Sequence, residues 1–215
     1  MKALSFPPLL ACAAALLSAC SSVPTHYHSL TQTQETSHPP QDGPGGIDCR
    51  SDSATAADPT RPIGTLLLAH LAVPPEADRM QLVLHKTPTR LALYETERWA
   101  TPLRDQISIL LIDNLRARLP QLSITSDPLL TGTGEPVQLN VDIEELDALA
   151  GKEATVRARW RLSDAGNTAS RAGTCTARQP LQNTEIDALV LAWSRALADI
   201  SSALADSIQR WNQAP

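Results

Sequence analysis

The feature that most constrains this chain is the short segment at its start. Lys2 gives a positively charged beginning, and Leu9–Leu17 is an apolar stretch too short to cross a bilayer. The stretch leads into a Leu-Ser-Ala-Cys motif that ends at Cys20, and small residues before a cysteine are typical of lipoprotein signal-peptidase sites. The sequence therefore predicts a signal peptide over residues 1–19 and an acylated, membrane-anchored Cys20. The alternative is an ordinary secretory signal with a coincidental cysteine.

The residue after the predicted anchor is Ser21. In well-studied Gram-negative bacteria an aspartate at this position retains lipoproteins in the inner membrane. Its absence predicts a lipid-anchored protein on the periplasmic face of the outer membrane.

Export also bears on the remaining cysteines. Cys12 leaves with the signal peptide and Cys20 is acylated, which leaves Cys49 and Cys175 as a pair. In an oxidising compartment an even pair predicts a disulfide. Metal binding by two lone cysteines 126 positions apart has little support.

The composition and motifs exclude several classes of function. A net charge of −5 and a pI near 5.5 argue against a nucleic-acid binder. The Walker A, GxGxxG, GxSxG and SxxK patterns do not occur. His26 and His28 are two positions apart and could hold a metal, but exposed tether residues are the favoured interpretation. We therefore expect no enzyme activity, no cofactor and no metal site.

The organisation predicted for the mature chain has two parts. Residues 20–62 form a lipidated N-terminus with a short strand at 27–30 and a Pro/Gly-rich loop at 31–62, and residues 63–215 form the globular domain. Apolar runs and alternation predict strands at 63–72, 80–85, 91–94, 137–143 and 155–161, and 3.6-residue spacing predicts helices at 99–119 and 184–211. The expected fold is α+β, with a single mixed or antiparallel sheet of five or six strands and two long amphipathic helices on one face.

The strands at 137–143 and 155–161 are predicted to form an antiparallel hairpin with one polar face. That face carries Asp142 and Glu144 on one strand and a row of arginines on the other, namely Arg157, Arg159 and Arg161. A loop centred near 149–150 sets Asp142 opposite Arg157 and Asn140 opposite Arg159. Cross-strand pairing is the favoured role of the row, and binding of anionic lipid or of a partner is the alternative.

Trp99 is the aromatic residue most suited to a specific role. It heads the apolar stripe of the first predicted helix. The favoured interpretation is an anchor that clamps the helix start to the sheet, and a partner contact is the alternative. Trp211, at the end of the last helix, could equally be buried in the stripe or exposed to a membrane or partner.

The order of several motifs resembles a known family. The motifs are Tyr27-x-x-Leu30, Ile63-Gly64, Asp78-Arg79 before a strand, Arg98-Trp99-Ala100-Thr101-Pro102-Leu103 at a helix start, and Leu139-x-Val141-x-Ile143. Together with the lipobox they resemble the PqiC-type family of ABC-type transport auxiliary lipoproteins. The resemblance implies an outer-membrane lipoprotein that works with an MCE-domain protein in lipid transport and envelope integrity.

Two main functions remain open at this stage. One is an adaptor that docks a periplasm-spanning MCE protein onto the outer membrane. The other is an assembly lipoprotein that helps to place another outer-membrane complex, in the manner of small lipopolysaccharide-transport lipoproteins. A soluble lipid carrier is a third class, which two well-filled helix stripes do not favour. The sequence leaves a homo-oligomer open and gives neither the lipid nor the direction of transport.

The lipobox generates a direct prediction. Cys20→Ala should block processing and leave the protein uncleaved or mislocalised, because the peptidase acts before an acylated cysteine. Mass spectrometry of the mature N-terminus checks this, with Cys12→Ala as a control that should be processed normally. An unmodified mature N-terminus at another residue would contradict the prediction.

Overall fold

The computed structural model describes residues 23–33, 45–55, 63–87, 89–132, 134–149, 152–181 and 183–213. The predicted signal peptide, Cys20 and most of the Pro/Gly-rich loop lie outside the described residues. The strands are β1 (His26–His28), β2 (Gly46–Thr55), β3 (Thr65–Ala72), β4 (Gln81–Thr87), β5 (Arg90–Trp99), β6 (Ser123–Thr125), β7 (Val137–Leu149), β8 (Glu153–Ser163) and β9 (Ser170–Pro180). The helices are α1 (Leu103–Arg118) and α2 (Ile186–Asn212), with a 3₁₀ turn at Pro128–Leu130.

The larger of two sheets has six strands in the order β2-β9-β8-β7-β3-β6. Strands β2, β9, β8 and β7 are antiparallel neighbours, whereas β3 runs parallel to both β7 and β6. Alternating side chains give this sheet one buried and one exposed face. On β8, Val156, Ala158 and Trp160 are buried, while the arginines between them are exposed. Both helices cover the buried face, α2 against β8 and β9 and α1 against β3 and β6.

The expectation of a single sheet of five or six strands is wrong. A second sheet of three strands has the order β1-β5-β4, with β1 parallel and β4 antiparallel to β5. Periodicity identifies a strand but not its neighbours, so the division into two sheets could not be read from the pattern. Strands β2 and β9 were also missed, because few large apolar residues mark them; β9 presents the small residues Gly173, Cys175 and Ala177 to the helices.

The helices differ from the prediction in their boundaries and in their faces. The first begins at Leu103, after Pro102 at the N-cap, because Trp99 belongs to β5. It is not cleanly amphipathic, since Gln106 and Asn114 are buried and Ile109 is exposed. By length and composition α2 could cross a membrane, but 67% of its most apolar window is buried within the protein. It is therefore a core helix.

A glycine on β9 makes room for a tryptophan of the core. Gly173 lies directly opposite Trp160 of β8. A Cβ atom on Gly173 would lie 2.4 Å from the Arg50 carbonyl oxygen of β2 and 2.9 Å from the Trp160 ring. Neither distance is compatible with a side chain, so this position requires glycine.

The register of the β7–β8 hairpin differs from the prediction by two residues. Asp142 lies opposite Arg159 rather than Arg157, and Asn140 lies opposite Arg161 rather than Arg159. The strands extend further than expected, so that Leu149 still pairs with Glu153 where the prediction placed the loop. A bulge between Ile143 and Glu145 then shifts the register by one more position and brings Glu145 opposite Arg157.

The predicted disulfide is present between Cys49 on β2 and Cys175 on β9. The two residues are directly opposed across antiparallel strands, with Cα atoms 4.1 Å apart. Cys175 is buried against the helices, whereas Cys49 is exposed at the sheet edge. The bond therefore fastens an edge strand that has little apolar surface of its own.

Loss of this bond should loosen β2 more than the rest of the sheet. In Cys49→Ser, we expect amides of β2 to lose protection from hydrogen exchange, while those of β7 and β8 keep theirs. The chain-entropy model gives a stability loss of about 5 kcal/mol for a loop of 126 residues. Ser51→Ala on the same strand is the control. Two free thiols titrated in the unreduced periplasmic protein, or uniform loss of protection, would contradict the account.

Candidate functional site

The N-terminal strand meets the body of the protein at a histidine held between two carboxylates. His28 Nε2 lies 2.6 Å from Glu97 Oε2 of β5, and His28 Nδ1 lies 3.2 Å from Asp187 Oδ1 in the first turn of α2. His26 Nδ1 lies 3.1 Å from the other Glu97 oxygen. His28 is only 8% exposed. The expectation that both histidines are exposed tether residues is therefore wrong for His28, which is part of the fold.

Backbone groups around His28 are bound to three different elements. The Ala100 amide donates to the His28 carbonyl at 2.9 Å. The Leu30 amide donates to Gln106 Oε1 of α1 at 2.8 Å, and the Thr31 amide donates to Ser194 Oγ of α2 at 3.2 Å. Leu30 also packs against the core. The chain that follows the predicted anchor is thus joined to β5 and to both helices.

Trp99 lies beside this junction at the end of β5. It pairs with His28 in the parallel register, is 2% exposed, and has its ring centroid 6.0 Å from that of Trp193 on α2. Trp193 Nε1 in turn donates to the Asp147 carbonyl of β7 at 3.0 Å. This burial supports the anchor interpretation, although Trp99 clamps a strand to α2 rather than a helix start to a sheet.

The electrostatics of the junction favour an ionised Glu97. The hydrogen bond from His28 lowers the pKa of the Glu97 carboxyl below its ordinary value of 4.5, burial opposes this, and the bond from His26 lowers it further. Folding therefore favours the carboxylate. The N-cap of α2 is Glu185, which makes no side-chain cap bond, and the Asp187 carboxylate faces His28.

The arginine row lies on the face of the large sheet that the helices leave open. Arg157 is paired with Glu145, and Arg159 with Glu144, which the bulge brings to the same face. Arg161 donates to Asn167 Oδ1 at 3.2 Å and lies 3.4 Å from Ser170 Oγ. No ion pair joins Asp142 to the row among the described residues; its carboxylate lies 3.4 Å from His70 Nε2 instead. The row is thus largely paired within the sheet.

The remaining candidate residues are dispersed. His85 Nδ1 lies 3.0 Å from Asp147, and Trp211 is buried at the end of α2. Within the described ranges no group of three or more His, Cys, Asp or Glu residues could hold a metal. Sequence reasoning missed Glu97, Gln106 and Ser194; only Glu97 had a nearby signal, since it directly precedes the Arg98–Leu103 motif.

Comparison with known proteins gives a family and similar solved structures, among them two crystal structures. The family described as "ABC-type transport auxiliary lipoprotein component" matches residues 50–205. A search of curated proteins found no match. A crystal structure of an uncharacterized protein has a TM-score of 0.62 and 21% identity, covering 69% of this chain and 94% of its own. Protein XCC0632 from Xanthomonas campestris, of family DUF330, has a TM-score of 0.58 and 20% identity, covering 73% and 90%. These two likenesses show a shared fold.

Removal of the Trp99 indole should act through stability. Trp99→Ala leaves a cavity between β5 and α2, and we expect a loss of about 3–5 kcal/mol in the free energy of unfolding. Tyr27→Ala, an exposed aromatic on the neighbouring strand, should change it by less than about 0.5 kcal/mol. Chemical denaturation of both variants checks this. An unchanged Trp99→Ala stability with lost partner binding would show that the partner interpretation is right.

The junction should also make stability depend on pH. Because the folded pKa of Glu97 is lowered, its contribution is complete above the ordinary pKa of 4.5 and is lost as the pH falls through the folded value. Glu97→Gln should therefore be less stable than wild type at pH 7, by about 1 kcal/mol. The difference in unfolding free energy between Glu97→Gln and wild type should narrow in acid. Glu95→Gln, two positions earlier and exposed, is the control. A stability difference that does not change with pH would contradict this role of Glu97.

Proposed function

Since the chain belongs to the family of ABC-type transport auxiliary lipoprotein components, we propose that it docks a periplasm-spanning MCE-domain protein to the outer membrane in a lipid transport system. The observation that carries this proposal is the extent of the family match, which runs from β2 through most of α2. The family is one of transport components rather than of enzymes. The family match supports a transport-associated lipoprotein. The MCE partner and the location at the outer membrane are what we propose beyond it.

The outer-membrane position is supported by the residues around the predicted anchor. Cys20 follows a lipobox, and Ser21 replaces the aspartate that would favour the inner membrane. The first described residue, Val23, is three positions from Cys20. Three residues span at most about 11 Å. The folded domain is therefore held close to the membrane, where it could receive the end of a longer periplasmic protein.

The open face of the large sheet is one candidate surface for that partner. Its arginines and glutamates pair with one another at exposed positions, so they contribute little to stability and leave little excess charge. We therefore propose that Arg157, Arg159 and Arg161 have a structural role and do not dock the partner.

The 3₁₀ turn offers a better contact for the MCE protein. Leu129 and Leu130 are adjacent and are 90% and 67% exposed, which is unusual for leucine. Thr65 Oγ1 donates to the Thr131 carbonyl at 3.4 Å, which holds the turn beside the start of β3. Val137, at the start of β7, lies near this turn, whereas Asp147, ten positions later on β7, contacts His85 of the small sheet. Ten positions of a strand span about 33 Å. The turn therefore faces away from the end that carries β1.

Capture of the MCE protein tests the proposed function. The acylated protein should co-purify with the MCE protein encoded by the same organism, and Leu129→Ser with Leu130→Ser should weaken this capture. Arg157→Gln, Arg159→Gln and Arg161→Gln together should leave capture and liposome binding unchanged at low and high salt. A large salt-dependent loss with the fold intact would make the arginine row the binding surface. Co-purification of an unrelated outer-membrane complex would favour the assembly-lipoprotein alternative.

A further inference from the structure

The three-stranded sheet concentrates exposed apolar side chains. Ten large apolar side chains are exposed among the described residues, and five of them belong to this small sheet or adjoin it. These five are Val23, Tyr27, Met80, Leu91 and Leu93. The opposite side of the same hairpin is buried, with Leu82 fully covered and Leu84 and Tyr94 packed against the core. The outer side of the hairpin therefore exposes Leu91 and Leu93, opposite His85 and Val83 of β4, to the surroundings of the described chain.

The direction of β1 brings the predicted anchor to this same face. His26 pairs with Glu97 and the strands are parallel, so the chain that precedes His26 approaches from the side where β5 begins. Cys20 is six positions before His26, and Leu91 is six positions before Glu97 on β5, which has a register shift between Tyr94 and Arg98. Each span is at most about 20 Å. Acyl chains on Cys20 can thus reach the level of the exposed leucines.

Basic side chains stand at the turn end of the hairpin, close to those leucines along the chain. Lys86 and Arg90 flank the β4–β5 turn and are exposed, and neither forms an ion pair with another described residue. Glu95 contributes one opposing charge and lies 3.5 Å from Gln81 Nε2. Exposed aliphatic and tyrosine side chains with lysine and arginine nearby are the combination that binds at the interface of a phospholipid leaflet.

We propose that the outer face of the three-stranded sheet rests on the phospholipid leaflet that holds the acyl chains of Cys20. Leu91 and Leu93 enter the acyl boundary, Tyr27 lies at the level of the headgroups, and Lys86 and Arg90 bind headgroup phosphates. The proposal rests on Cys20 being the lipid anchor. It gives the domain a fixed orientation on the membrane, which acyl chains on a free tether would not.

Depth-dependent quenching tests this contact directly. With Cys20 acylated and Cys49 bonded to Cys175, an added cysteine supplies a free thiol for an environment-sensitive fluorophore. Leu91→Cys, Leu93→Cys and, as control, Leu129→Cys are labelled in the full acylated chain. The proteins are reconstituted into vesicles of phosphatidylcholine and phosphatidylglycerol, with and without brominated acyl chains. Mass spectrometry verifies acylation of each sample, and circular dichroism verifies the fold.

The expected result is a blue-shifted emission and several-fold stronger bromine quenching at positions 91 and 93 than at 129. Lys86→Gln with Arg90→Gln should weaken quenching at 93 on vesicles that contain phosphatidylglycerol, and less so on pure phosphatidylcholine. Equal quenching at 93 and 129 would overturn the proposal. A blue shift without bromine quenching would also overturn it, because a second copy of the chain would then cover the face. The vesicles hold no MCE protein, so the outcome is independent of the capture experiment.

Discussion

The helix Ile186–Asn212 is the element on which the rest of the structure depends. Its buried face lies on β8 and β9, and α1 packs beside it. Ser194 and Ser201 donate to the carbonyls of Val190 and Leu197, four residues earlier, so these buried hydroxyls need no partner from the sheet. Separate points along it bind other parts of the chain: Asp187 faces His28, Trp193 contacts Trp99, and Asn212 accepts from the Ile63 amide at 2.7 Å. The two sheets are therefore joined through this helix and also directly, where His85 of β4 lies 3.0 Å from Asp147 of β7.

This arrangement makes the start of the mature chain part of the folded domain. A three-residue strand has too few hydrogen bonds to be stable alone. β1 is stable because His28 is held between Glu97 and Asp187 and because Leu30 and Thr31 bind the two helices. The consequence for function is geometric. In the proposed arrangement, a lipid anchor three residues before Val23 would hold the domain close to the membrane, with the small sheet toward the lipid and the Leu129 turn away from it.

The sequence predicted the elements better than their arrangement. The long helices, the β7–β8 hairpin and the Cys49–Cys175 pair follow from periodicity, alternation and compartment, and the family resemblance carried by Arg98–Leu103 is confirmed. The register failed because alternation fixes faces but not offsets; the doubled acid Glu144-Glu145, which breaks the alternation, was a visible sign of the bulge. The buried position of His28 could not be predicted from the sequence, because its partners Glu97 and Asp187 lie far along the chain and only folding brings them together.

The proposed geometry requires β1 to be a permanent part of the domain rather than a free tether. Hydrogen exchange of the acylated protein on vesicles measures this most directly, at the amides of His28, Leu30 and Thr31. The account predicts protection approaching that of β5, because these residues are bonded to β5, α1 and α2. Exchange at the rate of an unstructured peptide, with β5 still protected, would show that the tether is free and would contradict the account.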